Sequence, residues 1–182
     1  MERAVYIAEK LGAFDPTIGP EIKLWDFLNK IKPSDAEIRK IFHSLITNII
    51  VDRAESTVFL KKKGMLLDLG GIAKGYAADL AVRSLKEKGI SAGLVAIAGD
   101  IKAFGLKPDN KPWIIGIKNP RQKNNDDEII AKIYLSGKAI STSGDYERYF
   151  ILNGQRFHHL LDPETGYPAS ECRSASVIAE EE

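Results

Sequence analysis

Leu67-Asp68-Leu69-Gly70-Gly71-Ile72-Ala73-Lys74-Gly75-Tyr76-Ala77-Ala78-Asp79 sets an apolar run, an acid and two glycines directly before an alanine-rich helical pattern. The order predicts a strand that feeds a helix start. A helix N-terminus directs unpaired backbone N–H groups and a partial positive charge at whatever precedes it, and glycines let a ligand approach the backbone. Lys74, within the first turns, adds a full positive charge beside a phosphate. A tight strand-to-helix turn with no ligand accounts for the same residues, and both readings stay open on this stretch alone. Gly75 is followed by Tyr76, so the Walker spacing is absent, and Gly70 to Gly75 does not give the Gly-x-Gly-x-x-Gly of a dinucleotide fold.

The rest of the chain bounds what such a site can be. The 182 residues suit one domain of ordinary size, 1–182, with a core large enough to fold without staples. Twenty-six Lys and Arg against twenty-five Asp and Glu leave a net charge of +1, which gives no bulk attraction to nucleic acid or to an acidic membrane. A single cysteine excludes an intrachain disulfide framework and a multi-cysteine zinc site, and Cys172 reads as an inert buried thiol. No apolar run reaches the length of a membrane span, and no signal sequence opens the chain. The chain starts within a helical pattern and closes on Ile178-Ala179-Glu180-Glu181-Glu182 directly after a strand, as if cut from something longer.

Val5, Ile7, Ala8, Leu11 and Phe14 predict an amphipathic first helix that Gly12 stops. A short helical piece follows at Glu21 to Leu28, anchored by Trp25. Ser34 and Glu37 have capping-box spacing for a third helix with Ile38, Ile41, Phe42 and Leu45 as its buried stripe; His43 beside that stripe reads as filler. Short strands are expected at Ile49–Asp52, Thr57–Leu60 and Met65–Asp68, and Ala77, Leu80, Ala81 and Leu85 mark the buried face of the helix after Gly71. Further strands lie near 93–98, 101–105, 113–118, 129–135, 138–141, 150–152 and 155–159. Gln122 to Asp127 has a loop composition, Ser136-Gly137 suggests one tight hairpin, and Asn153-Gly154 is the strongest hairpin signal. Early helices followed by hairpin-linked strands predict an α+β fold with a largely antiparallel sheet.

Two polar stretches remain. Ser141-Thr142-Ser143-Gly144-Asp145-Tyr146-Glu147-Arg148 is a hydroxyl cluster that suits phosphate oxygens or, more simply, a turn. In Phe157-His158-His159-Leu160-Leu161-Asp162-Pro163-Glu164-Thr165-Gly166, strand alternation puts the two histidines on opposite faces, so they do not form one metal pair. Asp162 and Asp100 are read as turn caps at least as readily as site residues.

Taken together, DLGGIAKGYAAD (68–79), ISTSGDYERYF (140–150), HHLLDPETGYPAS (158–170), GAFDPTIGP (12–20) and LWDF (24–27) resemble the ApbE flavin transferases, formerly called thiamine-biosynthesis lipoproteins, over about 2–179. The resemblance implies an ApbE-like, T-fold-like single domain. It also implies transfer of FMN from FAD to a Thr or Ser of an acceptor flavoprotein, with release of AMP and with magnesium on the pyrophosphate. Hydrolysis of FAD to FMN and AMP and non-catalytic FAD binding are the alternatives.

By the same resemblance Ala13, Phe14 and Asp15 border the flavin or adenine. Asp68 accepts hydrogen bonds from the nucleotide, Lys74 meets phosphate, Leu160 is an apolar FAD contact and the Gly71 carbonyl is a metal ligand. His159 matches the catalytic histidine, with His158 structural. The family's N-terminal flavin-contacting motif and C-terminal acidic metal-binding motif have no counterpart here. The chain therefore reads as lacking both terminal segments, or as a short form of weak or no activity. The resemblance places such proteins outside the cytoplasmic membrane on a lipid anchor that this chain does not display; a cytoplasmic location is the alternative.

Overall fold

The computed structural model describes residues 1–41, 45–121 and 128–180. The expectations for Phe42, His43 and the 122–127 loop lie outside these residues. The elements run α1 (Glu2–Leu11), α2 (Gly19–Leu24), α3 (Asp35–Ile41), a 3-10 turn (Ile46–Asn48), β1 (Ile49–Asp52), β2 (Thr57–Leu60), α4 (Gly70–Glu87), β3 (Gly93–Ile97), β4 (Asp100–Phe104), β5 (Trp113–Lys118), β6 (Ile129–Leu135), β7 (Ala139–Gly144), β8 (Tyr149–Leu152), β9 (Gln155–His158) and β10 (Ser174–Ala179). They gather into two compact units, one from 1–71 with 145–171, the other from 72–144 with the stretch from Cys172 onward. Helices with antiparallel strands throughout bear out the α+β expectation.

In the first unit Gly12 takes φ 66° and ends α1, its N–H bonding back to the Ala8 carbonyl. The buried stripe of α1 differs from the expected one: Ala4 and Ala8 face inward while Leu11 is 71% exposed. The capping box forms as its spacing requires, the Ser34 N–H and Oγ both donating to Glu37 Oε2 at 2.8 and 2.6 Å. Trp25, Ile38, Phe150 and Phe157 make the core, with Phe27, Leu161 and Tyr167 packed against it. Trp25 is 3% exposed and its indole N–H donates to the Gly166 carbonyl at 3.0 Å, so the anchor is satisfied as well as buried. Met65–Asp68 is not a strand. It has no ladder partner and is held by the Asp68 N–H on the Pro16 carbonyl.

In the second unit β10, β7, β4 and β3 form an antiparallel sheet in that order, and β5 pairs with β6. Ala103, Leu135 and Ile140 are its buried centre, surrounded by Ile101, Trp113, Ile115, Ile117 and Ile133. Ser136-Gly137 does not close a hairpin: β6 pairs with β5 and β7 with β4 and β10, so the tight turn carries the chain from one ladder to another.

The buried strip of α4 is Gly75, Ala78 and Val82, whereas Leu80 is exposed. The reason is electrostatic as well as steric. Lys74 pairs with Asp100 and Asp79 with Lys102, both on β4, at 3.3 and 3.1 Å. At ~100° per residue the strip 75–78–82 falls between positions 74 and 79, so the two ion pairs set which face turns inward. Cys172 is exposed, not buried.

Candidate functional site

Around the start of α4 four of the expected residues adjoin. Asp68 Oδ1 accepts the Gly70 N–H at 2.7 Å and caps the helix. Its own N–H bonds the Pro16 carbonyl at 2.8 Å, which ties the 13–16 loop to the helix entry. A Cβ on Gly71 would stand 3.1 Å from Phe14 Cε2, so a bare Cα lets the Phe14 ring lie against the helix start. Gly19 does the same for α2, where a Cβ would meet Leu66 at 2.7 Å. Asp15 is buried and its Oδ1 takes both the Thr17 N–H (2.7 Å) and the Thr17 hydroxyl (2.6 Å), while that hydroxyl oxygen accepts the Leu45 N–H. Its carboxylate therefore shapes the loop. Ala13 is exposed and Phe14 half-buried, and Asp15 shares with Phe14 the lining of the cavity described below.

The second group sits where the β8–β9 hairpin ends. Asn153 and Gly154 both have positive φ, 51° and 78°, and turn the chain tightly so that Tyr149 faces His158. One step beyond, His159 donates its backbone N–H to the Arg148 carbonyl at 3.1 Å, and its Nδ1 lies 3.3 Å from the same oxygen. A carbonyl only accepts, so Nδ1 carries the proton and Nε2 keeps its lone pair. Partial burial, then the neighbouring Arg148 charge, hold the His159 pKa below the ordinary histidine value. The ring is thus a neutral base near pH 7. His158 is its opposite: 5% exposed, with Nε2 2.8 Å from the Ala169 carbonyl, it fastens the end of β9 to the returning chain.

The loop after His159 is closed by its own bonds. Ala169 N–H reaches the Leu160 carbonyl, Asp162 N–H reaches the Tyr167 carbonyl, and the Asp162 carboxylate accepts from the Glu164 N–H and the Thr165 hydroxyl. Asp162 is a turn organiser. Leu160 is half-buried at the loop's base. Pro163 and Glu164 of this loop line a cavity of about 250 Å³ with Ala8, Gly12, Phe14, Asp15 and Ile46. That volume holds a ring system rather than an entire dinucleotide.

Lys74 belongs to the second unit. Its Nζ donates to the Ala98 carbonyl at 3.1 Å and meets Asp100 Oδ2 at 3.3 Å, and Asp100 Oδ1 accepts the Ser141 hydroxyl at 2.5 Å. Of the hydroxyl cluster, Ser141 to Gly144 lie on strand β7 and Asp145 to Arg148 make the expected turn, with Thr142 paired to the Ser176 hydroxyl at 2.8 Å. Asp100 and Ser141 are 41 residues apart, and no local pattern relates them.

A model of the ApbE family matches residues 1–182. The FAD:protein FMN transferase of Klebsiella pneumoniae (strain 342) is 37% identical over 171 residues, 92% of this chain and 52% of that protein. The FAD:protein FMN transferase of Treponema pallidum (strain Nichols) is 36% identical over 98% of this chain and 54% of its own length. Among solved structures, the ApbE protein of Thermotoga maritima superposes with a TM-score of 0.88 at 43% identity, covering 99% of this chain and 59% of that one. The Pseudomonas stutzeri flavinyl transferase ApbE, apo form, gives 0.81 at 32% identity, covering 99% of this chain and 56% of that one. The chain spans about half the length of the curated relatives it matches.

Proposed function

The chain belongs to the ApbE family, and on that basis we propose that it is an FAD:protein FMN transferase that moves FMN from FAD to a Thr or Ser hydroxyl of an acceptor flavoprotein. The observation that carries the chemistry is His159, a neutral imidazole whose Nδ1–H is spent on the Arg148 carbonyl. The acceptor hydroxyl oxygen attacks the FMN-side phosphorus, the bond from that phosphorus to the bridging oxygen breaks, and AMP leaves with that oxygen. His159 Nε2 takes the hydroxyl proton, and the Arg148 carbonyl stabilises the imidazolium formed. Ala13, Phe14 and Leu160 supply apolar surface for the ring systems. Asp68 takes hydrogen bonds from the nucleotide at the helix entry, and Lys74 donates to a phosphate oxygen.

Magnesium is a hard ion that takes several oxygen ligands in near-octahedral geometry. Gly71 offers one neutral carbonyl, and among the described residues no group of three or more His, Cys, Asp and Glu could hold a metal ion. These residues do not make a magnesium site by themselves, so no step above runs through the ion; whether EDTA removes activity decides its place. The extracytoplasmic location, with the cytoplasm as alternative, is carried with the same proposal and is decided by fractionating cells that express the chain. Among the described residues no helix is long and apolar enough to cross a membrane.

Replacing His159 by Ala is expected to abolish FMN transfer while FAD still quenches on binding. Full transfer by that variant would overturn the role. A water molecule can meet a half-exposed imidazole as readily as a protein hydroxyl can, which keeps FAD pyrophosphatase activity as the second reading. AMP that appears without an acceptor protein distinguishes it, and FAD quenching with no AMP under any condition marks a binding protein.

A further inference from the structure

Lys74 is not a free cation. An ammonium has three N–H donors, and two of them are engaged inside the second unit, on the Ala98 carbonyl and on Asp100 Oδ2. The Lys74 side chain nonetheless remains 39% exposed, so its third donor is reachable. Asp100 is 6% exposed, and its other oxygen is held by the Ser141 hydroxyl, the residue directly across the β4–β7 ladder. The turn that presents both acceptors is itself fixed. Ala98 and Gly99 have positive φ, 45° and 100°, and the Gly99 carbonyl accepts the Thr142 N–H at 3.3 Å.

We infer that Asp100, locked by Ser141, is a positioning residue that holds the Lys74 ammonium against the β3–β4 turn so that it offers one directed donor to a diphosphate ester. A loose lysine spreads its charge over many rotamers and loses that freedom on binding. A lysine already fixed on two acceptors has lost it in advance, and the adjacent carboxylate tempers its attraction for unrelated anions. This role rests on the proposal that Lys74 meets a phosphate oxygen of FAD.

The test has two readouts. Amine-directed acylation read by mass spectrometry reports Lys74 directly and needs no ligand. Lys74 should react slowly in the native chain and severalfold faster in Asp100→Asn and in Ser141→Ala, with exposed Lys62 unchanged as the reference. In parallel, FAD and ADP should each bind about tenfold more weakly to Asp100→Asn, the order expected for a lost charge-assisted hydrogen bond. Riboflavin, which has no phosphate, should bind each variant as it binds the native chain. In the Lys74→Met background, adding Asp100→Asn should cause no further loss, since the carboxylate acts only through that ammonium.

Ser141→Ala, which removes a hydroxyl at a half-buried position, serves if Asp100→Asn does not fold. Lys74 reactivity that is equal in native chain and both variants overturns the positioning role whatever FAD does. Reactivity that rises as expected while FAD binds Lys74→Met like the native chain overturns the phosphate contact itself, and with it both the role and the functional reading behind it.

Discussion

His158 and His159 are consecutive, yet the fold uses them in contrary ways. His158 is buried and bonded to the Ala169 carbonyl, while His159 emerges at the strand end with one ring nitrogen occupied. Alternation along a strand foretold that they diverge, while only the family resemblance made His158 the structural one of the two. The lowered pKa of His159 has a definite consequence for pH. Its neutral form is the one the fold favours, so the stabilisation is fully present above the unfolded value of about 6.5 and is lost as pH falls through the lower folded pKa. The acid limb of the transfer rate should therefore lie below pH 6.5. Arg148→Gln should move that limb upward without carrying it all the way to 6.5, because burial, the larger cause, remains. A limb that stays put in the variant would show that the guanidinium has no hold on the ring.

At the scale of elements, turns decide placement more than strands do. Asn153-Gly154 was legible because two successive positive φ angles demand such residues. Ser136-Gly137 carries a similar local signal, since Gly137 has φ 68°, but joins two ladders instead of closing one. Local chemistry specifies that the chain turns; which strand it pairs with next depends on distant partners. The β3–β4 turn is exacting in its own right. At Gly99, φ is 100° and an added Cβ would stand 3.2 Å from the Thr142 carbonyl. Gly99→Ala should therefore cost about 1–3 kcal/mol and lower the melting midpoint by about 2–4 °C per kcal/mol, as thermal denaturation followed by circular dichroism would read. A variant that melts with the native chain would mean the turn relaxes freely.

For the molecule as a whole, the first unit is assembled from two stretches of chain, 1–71 and 145–171. Its core joins them: Trp25 and Ile38 from one, Phe150 and Phe157 from the other, with the indole bonded to Gly166 across a separation of 141 residues. Each fully buried large side chain contributes about 1.5–3 kcal/mol, so neither stretch holds the unit alone. A chain ending at Gly144, on a Trp113→Phe background so that Trp25 alone emits, should show red-shifted indole fluorescence and no cooperative unfolding. Native-like emission from it would show that the early helices make a core without the hairpin.

What the sequence determined by itself is local and periodic: the helix cap at Ser34, the stop at Gly12, the Asn153-Gly154 hairpin, the α+β class and, through five short motifs, the family. These follow from dihedral limits and neighbouring hydrogen bonds, which act within a few residues. The tertiary structure alone decided that Asp15 turns inward on Thr17, that α4 buries Gly75, Ala78 and Val82 instead of its leucines, and that Lys74 is gripped by the Ala98 carbonyl and by Asp100, which Ser141 holds in turn. Each of those outcomes is a competition for burial and for ionic or hydrogen-bonding partners. Where the winning partner lies far along the chain, no local spacing encodes it.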